Sequence, residues 1–267
     1  MRQATDWLRT ATFLGFAAVG LACSSARAED TSAPPPWPTP TPAQCKKPTE
    51  PPDVLLTLAR CCVTDPQDVD GGKGCVGKPV GSPEYYSILR DSKPAKQGAD
   101  LLIPTDAVTG VEDAAVLKDP WAGYFDQAWR FGEPKRGHKT ALAVNSKPAR
   151  DNNQLHVHVG CVNAKILPVL AKAKIHSTPV SVTIDKHPYK AVWVKDLTGD
   201  DSPFRVVDKW VRAGEMQYQG IAVVGAVKED SSHNVVDDNG YFILDTAGKT
   251  KEEGGLAESV IDYSICK

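Results

Sequence analysis

In the stretch Asp151-Asn152-Asn153-Gln154-Leu155-His156-Val157-His158-Val159-Gly160-Cys161, the polar residues Gln154, His156 and His158 alternate with Leu155, Val157, Val159 and Cys161. Alternation at every second residue is the period of a half-buried strand. Side chains at even positions then share one face and those at odd positions the other. The sequence therefore predicts a strand whose odd face joins a core and whose even face holds two imidazoles side by side, facing outward.

Three chemistries fit such a pair. The histidines can simply hydrogen-bond on a partly exposed strand. They can share a zinc ion, although no Cys-x-x-Cys, no His-Glu-x-x-His and no nearby carboxylate adds ligands at a recognised spacing. Or a neutral imidazole can attack phosphorus while its neighbour helps carry the phosphate charge. The residues upstream favour the last. Ala141-Leu142-Ala143-Val144 reads as an apolar strand running into Asn145-Ser146 and a Lys147-Pro148-Ala149-Arg150 loop, and a hairpin would return those polar groups beside the histidines.

An Asn ending one strand and a His-x-His strand about ten residues later resembles the histidine-triad superfamily of nucleotide hydrolases and transferases. In that superfamily three histidines alternate on the strand and the middle one is the nucleophile. Here Gln154 holds the first position, His156 the middle and His158 the third, so the first position departs from the pattern. Further segments, in order, resemble one exported branch, the CDP-diacylglycerol diphosphatases (pyrophosphatases). They are Leu101-Leu102-Ile103-Pro104-Thr105 with Thr109-Gly110-Val111-Glu112, Phe125 to Trp129, Asn145-Ser146, Asn153 to Cys161, His187-x-Tyr189, Ser202-Pro203-Phe204 and the closing Cys266. Together they cover Cys62 to Lys267.

The resemblance implies hydrolysis of the pyrophosphate in CDP-diacylglycerol to CMP and phosphatidate. His156, with an ordinary pKa near ~6.5, would attack the cytidylyl phosphorus and form a covalent cytidylyl-histidine that water hydrolyses. His158 would stabilise the phosphoryl oxygens, and Asn145, Ser146, Asn153 and Gln154 would add donors around the developing charge. Pro104-Thr105 would border the nucleoside, and His187 is a candidate phosphate contact. No metal and no other cofactor is expected. Two alternatives use the same residues differently: a general exported nucleoside-diphosphate hydrolase or nucleotidyl transferase acting through His156, and a non-catalytic secreted binding module.

The start of the chain sets the expected compartment. Arg2 and Arg9, the apolar run Ala11 to Ala22, and the small-x-small signal Ala26-Arg27-Ala28 read as a secretory signal peptide over residues 1–28. Gly20-Leu21-Ala22-Cys23 is an imperfect lipoprotein box, so acylation at Cys23 is the alternative, which would tether the protein to a membrane. Either reading places the protein outside the cytoplasm, in the periplasm or at the outer face of the inner membrane, with a membrane surface as a partner. Cleavage after Ala28 removes three basic residues and one acidic one, taking the net charge from −2 to −4. Nucleic acid is not an expected partner, because no basic stripe runs along the chain, and Lys165, Lys172 and Lys174 read as the solvated face of one helix.

Residues 29–52 form a linker, with nine prolines between Thr31 and Pro52 that deny it backbone donors and favour extended chain. The folded domain is expected over 53–267. It begins with a helix whose Asp53 caps Val54, Leu55, Leu58 and Ala59. A loop over 65–81 follows, then paired strands at Tyr85 to Leu89 and Leu101 to Pro104. A helix after Asp119-Pro120 carries Trp121, Tyr124, Phe125, Ala128 and Trp129 on one core-facing stripe. Asn163 to Ile175 reads as a helix bent at Pro168, Val180 to Ile184 and Tyr189 to Val194 as strands, and Ser202-Pro203 as a further helix start. Gly220 to Val227 and Tyr241 to Asp245 read as a hairpin. Strands and helices mix without βαβ regularity, which predicts an α+β fold with a largely antiparallel sheet and flanking helices; the resemblance makes it histidine-triad-like.

Six cysteines follow Ala28, an even number suited to disulfides in an oxidising compartment. The pairings that go with the family resemblance are Cys161 with Cys266 and Cys75 with Cys61 or Cys62, leaving Cys45 for the remaining partner.

Overall fold

Among the described residues, alternating apolar residues build nine strands: β1 (Cys75–Gly77), β2 (Tyr86–Arg90), β3 (Asp100–Pro104), β4 (Thr140–Val144), β5 (Val157–Cys161), β6 (Val180–Ile184), β7 (His187–Val194), β8 (Gln219–Glu229) and β9 (Val235–Ala247). Five α-helices accompany them among the described residues: α1 (Pro42–Lys46), α2 (Val54–Thr64), α3 (Tyr124–Arg136), α4 (Leu167–Lys172) and α5 (Pro203–Asp208). The structure is a computed structural model that describes residues 38–46, 54–64, 69, 74–77, 86–91, 96 and 98–266. The expected signal peptide, Cys23, much of the expected Pro-rich linker, Asp53 and most of the expected 65–81 loop lie outside the described residues.

The strands form one sheet in the order β1-β2-β3-β5-β4-β8-β9-β7-β6, and every pairing is antiparallel. The fold is thus α+β with a large antiparallel sheet. The β4–β5 hairpin sets Ala143 opposite His158, so the polar end of β4 returns beside the histidines as the sequence predicts.

One face of the sheet packs Leu142, Val144, Val157, Val159, Ile221 and Ile243 under α3 and α5. The α3 stripe is core: Tyr124, Phe125 and Trp129 are buried, and Phe125 meets Phe204 of α5 with ring centroids 5.0 Å apart. The opposite face has two covers. Over β2 and β3 sits α2, with Ala59, Cys61 and Cys62 against Leu89, Leu101 and Ile103. Over the β4, β8, β9, β7 region sit α4 and the 3-10 turn Ala257–Val260, packed on Ala141, Ala143, Ala222 and Leu244.

β5 runs between these covers, and here the structure departs from the outward-facing histidines that alternation predicts. His156 and His158 are buried, at 8% and 4% exposure. The reason is a strap formed by residues 254–266. Its Ile261 pairs with Val162 and presses on Gly160, where a Cβ would stand 2.4 Å from Ile261 Cγ2, so glycine is what lets the strap lie flat on β5. At the other end, Gly255 takes a left-handed φ of +74°, and a Cβ there would stand 2.2 Å from Ser146 Oγ.

Three disulfides staple the covers down: Cys45–Cys61 joins α1 to α2, Cys62–Cys75 joins α2 to β1, and Cys161–Cys266 joins β5 to the strap. They close loops of 16, 13 and 105 residues. In the chain-entropy view such loops are worth about 3 kcal/mol for the two short ones and nearer 5 kcal/mol for the long one. These pairings include the expected Cys161–Cys266 and choose Cys62 for Cys75.

Elsewhere the differences follow from local chemistry. Pro168 stands at the start of α4 rather than bending a longer helix, because a proline fits the first turn, where its missing N–H costs no helical bond. The helix after Ser202 ends at Asp208, and the β8–β9 hairpin is longer than its apolar runs, extending through polar residues that pair at its exposed end.

Candidate active site

His156 directly precedes β5, and its Nδ1 lies 2.7 Å from the backbone carbonyl oxygen of Gln154. A carbonyl only accepts, so Nδ1 carries the proton and Nε2 presents the lone pair. Burial lowers the pKa of His156; the Gln154 carbonyl and Glu258 oppose this, while Lys96 and Arg150 add to it. The ring is therefore neutral at neutral pH. His158 stands beside it, the ring centroids 4.9 Å apart in an edge-to-face arrangement.

The strap supplies what the histidine strand lacks. Glu258 Oε2 lies 3.3 Å from His158 Nε2, accepts from Tyr263 OH at 2.9 Å and forms a largely buried ion pair with Lys96. Burial pushes the Glu258 carboxyl up, but the attraction of His158 and Lys96 and the Tyr263 hydrogen bond outweigh it and bring the pKa down to about 2. Tyr263 is raised far above an ordinary phenol by burial and by Glu258, so it keeps its proton for that hydrogen bond. Glu258 is thus a fixed anion that orients His158.

Asn145 and Ser146 hold the strap in place. Asn145 Oδ1 accepts from the Glu258 backbone N–H at 3.1 Å, and Ser146 N–H donates to the Gly255 carbonyl at 2.9 Å. The Ser146 hydroxyl is buried with no hydrogen-bond partner among the described residues. Gln154 has a different task from the expected one: its Nε2 donates to the Pro104 carbonyl at 3.1 Å and the Asp106 carbonyl at 2.9 Å. Both amide hydrogens are spent on backbone, so the side chain ties the histidine loop to the end of β3 while its own carbonyl sets the His156 tautomer. Pro104 and Thr105 are buried beside this tie, and the Thr105 carbonyl accepts from Arg60 Nε at 2.8 Å.

Asn153 is exposed and accepts from Arg150 Nη2 at 3.2 Å. The Arg150 guanidinium grips Glu112 with two bonds, of 2.7 and 2.5 Å, and lies across Gly110, where no Cβ would fit. His187 does not join the site. It opens β7, four strands from β5 in the sheet order, which at ~4.8 Å per strand is roughly 19 Å away. Its position four strands from the histidines was not legible in the sequence, because strand order is not a local property.

Glu258, Lys96 and Tyr263 were missed by sequence reasoning, since no motif marks them and more than 90 residues separate Glu258 from the histidines. The short Gly254-Gly255 pair was the available signal for a close approach there. Among the described residues no group of three or more His, Cys, Asp or Glu is arranged to hold a metal ion.

A sequence model described as CDP-diacylglycerol pyrophosphatase matches residues 50–266. The chain is 28% identical over 179 residues to a probable CDP-diacylglycerol pyrophosphatase of Mycobacterium leprae, covering 61% of this chain and 63% of that protein. It is 26% identical over 194 residues to a CDP-diacylglycerol pyrophosphatase of Yersinia pestis, covering 65% and 71%. It thus spans less than two thirds of the first relative. Among solved structures, yeast Ap4A phosphorylase Apa2 is similar at a TM-score of 0.45 and 13% identity, covering 70% of this chain and 64% of that one. Its complex with AMP is similar at 0.42 and 12%, covering 65% and 59%. The matched span begins before α2 and closes on Cys266, so it holds the histidine strand and the strap together: the chain belongs to the CDP-diacylglycerol pyrophosphatase family.

Proposed function

We propose that this protein hydrolyses the pyrophosphate bond of CDP-diacylglycerol, yielding CMP and phosphatidate, through a cytidylyl group carried on His156. Family membership supports the substrate, and one observation carries the mechanism: the Nδ1 to Gln154 carbonyl bond leaves the His156 Nε2 lone pair available. Nε2 attacks the cytidylyl phosphorus in line with the anhydride oxygen. The P–O bond breaks and phosphatidate leaves with the electron pair. Water then attacks the same phosphorus, the P–N bond breaks, and CMP departs while the pair returns to Nε2 and the water proton passes to solvent.

His158, oriented by Glu258, donates to the phosphoryl oxygens, and the nearby charges of Lys96 and Arg150 favour the developing negative charge. Asn145 and Ser146 act by holding the strap, with the Ser146 hydroxyl still available as a donor. The protein works outside the cytoplasm, at or near the membrane that holds its substrate, after removal of residues 1–28. Intact mass of the exported protein tests the last point, since a chain still starting at Met1 or a diacylated Cys23 would contradict it.

The mechanism is tested by acid-quenching the enzyme during turnover of CDP-diacylglycerol labelled in the cytidylyl phosphate. Label on a peptide containing His156, and none on a His156→Ala protein, is the expected result. Turnover by His156→Ala near the wild-type rate would refute it.

A further inference from the structure

At the end of β5 away from His156, a cavity of about 520 Å³ is lined by Arg90, Lys135, Arg136 and Lys139 around one carboxylate among the described residues, that of Asp100, with the Cys161–Cys266 disulfide as part of its wall. His156 and His158 lie five and three residues from Cys161 along an extended chain, on the order of 17 and 10 Å, and Asp100 pairs with Val159, whose side chain takes the face of β5 opposite to His158, so the cavity is separate from the histidine pair.

The charges here are not balanced. Asp100 is buried and already shared: Arg136 Nη2 donates to its Oδ2 at 2.8 Å, and Arg90 Nε lies 3.3 Å from its Oδ1. Arg136 is 7% exposed and further pinned by the Gly98 carbonyl at 3.0 Å, yet its Nη1 has no hydrogen-bond partner among the described residues. Lys135 rests over the Phe131 ring at 4.0 Å, and neither it nor Lys139 forms an ion pair among the described residues. Burial lowers the Lys135 pKa, and Arg136 and Arg90 lower it further against the pull of Asp100. Four cations around one carboxylate, the buried Arg136 with the exposed Arg90, Lys135 and Lys139, repel each other, and an anion between them relieves that repulsion.

We propose that this cavity binds a phosphate-bearing anion, an ester of phosphoric acid whose charged end meets Arg136, Lys135 and Lys139. Its volume exceeds that of a bare phosphate and lies in the range of small-molecule sites. The half-exposed Ile265 and the disulfide give the ester's carbon portion an apolar wall. Such a phosphate can come from a soluble ester or from a lipid headgroup. The proposal does not depend on the reaction assigned to His156.

The test follows thermal unfolding of the full chain in inorganic phosphate against chloride at equal ionic strength, alongside flotation with phosphatidylcholine vesicles with and without phosphatidate. Three proteins are compared: wild type, Lys135→Glu/Lys139→Glu, and His156→Ala/His158→Ala. The expected result is that phosphate, phosphatidate vesicles or both act on wild type and on the histidine variant, and that the lysine variant binds at least about tenfold more weakly, as loss of a charge-assisted bond requires. Lys139→Ala should show a smaller loss in the same direction. Flotation assigns the site to a lipid headgroup, and a thermal shift without flotation assigns it to a soluble ester. A response that persists in the lysine variant, one that disappears in the histidine variant, or no response to either probe overturns the proposal.

Discussion

Replacing Glu258 by Gln tests whether the strap's anion holds the site together. The substitution keeps the shape and an acceptor for Tyr263 OH, but it removes the charge that faces Lys96 and His158. Burial by itself would raise the Glu258 pKa, and its partners bring it from 4.5 to about 2. At ~1.36 kcal/mol per pH unit, that interval corresponds to roughly 3 kcal/mol of folding stability. A similar figure, about 3–5 kcal/mol, is usual when one member of a buried ion pair is removed, and Lys96 and Glu258 are 14% and 15% exposed. For a domain of this size, roughly 3 kcal/mol lowers Tm by about 6–12 °C. Because the folded pKa is depressed, the contribution is complete above the unfolded value of 4.5 and is lost as pH falls through about 2. Linkage leaves roughly 1.5 kcal/mol of it at pH 3. Urea unfolding of wild type and Glu258→Gln under non-reducing conditions, at pH 7 and pH 3, measures both differences. A difference under about 1 kcal/mol at pH 7, or one that does not shrink at pH 3, would refute the reasoning.

His156→Ala should abolish CDP-diacylglycerol turnover, whereas His158→Ala should leave an enzyme slowed by about 10²–10³, the usual cost of losing one stabilising donor; equal losses in steady-state assays would contradict these separate roles. Because attack needs neutral His156 and burial lowers its pKa, kcat/KM should stay level down to pH 6.5 and fall only below it; an acid limb centred above 6.5 would contradict the argument from burial. Gly160→Ala should cost about 1–3 kcal/mol by driving a Cβ into Ile261, and Ile261→Ala in the same chain should recover part of it; denaturant titration of the single and double variants decides. Dialysis against a chelator should leave turnover unchanged, and activity that returned only with added divalent metal would contradict a purely imidazole mechanism.

Alternation in Gln154 to Cys161 was sufficient to place a strand, put both imidazoles on one face and bring Asn145 back beside them, because side-chain direction in a strand is a local property of period two. The hairpin of β8 and β9 was legible for the same reason and the aromatic stripe of α3 from the corresponding helical period of 3.6, and the disulfide pairs matched those implied by family resemblance. Alternation says which face a residue takes, but not what covers that face. Whether His156 and His158 meet water or protein depended on the strap of residues 254–266, held by Gly160, Gly255, Asn145 and the Cys161–Cys266 bond. The same strap brings in Glu258, Tyr263 and, through Glu258, Lys96. The exclusion of His187 likewise came from strand order, which places β7 four strands away although its sequence sits close after β6. Local pattern is written in neighbouring residues, whereas strand order and cover are decided by burial summed over the whole chain, so only the folded molecule could show that a carboxylate about a hundred residues downstream completes the site.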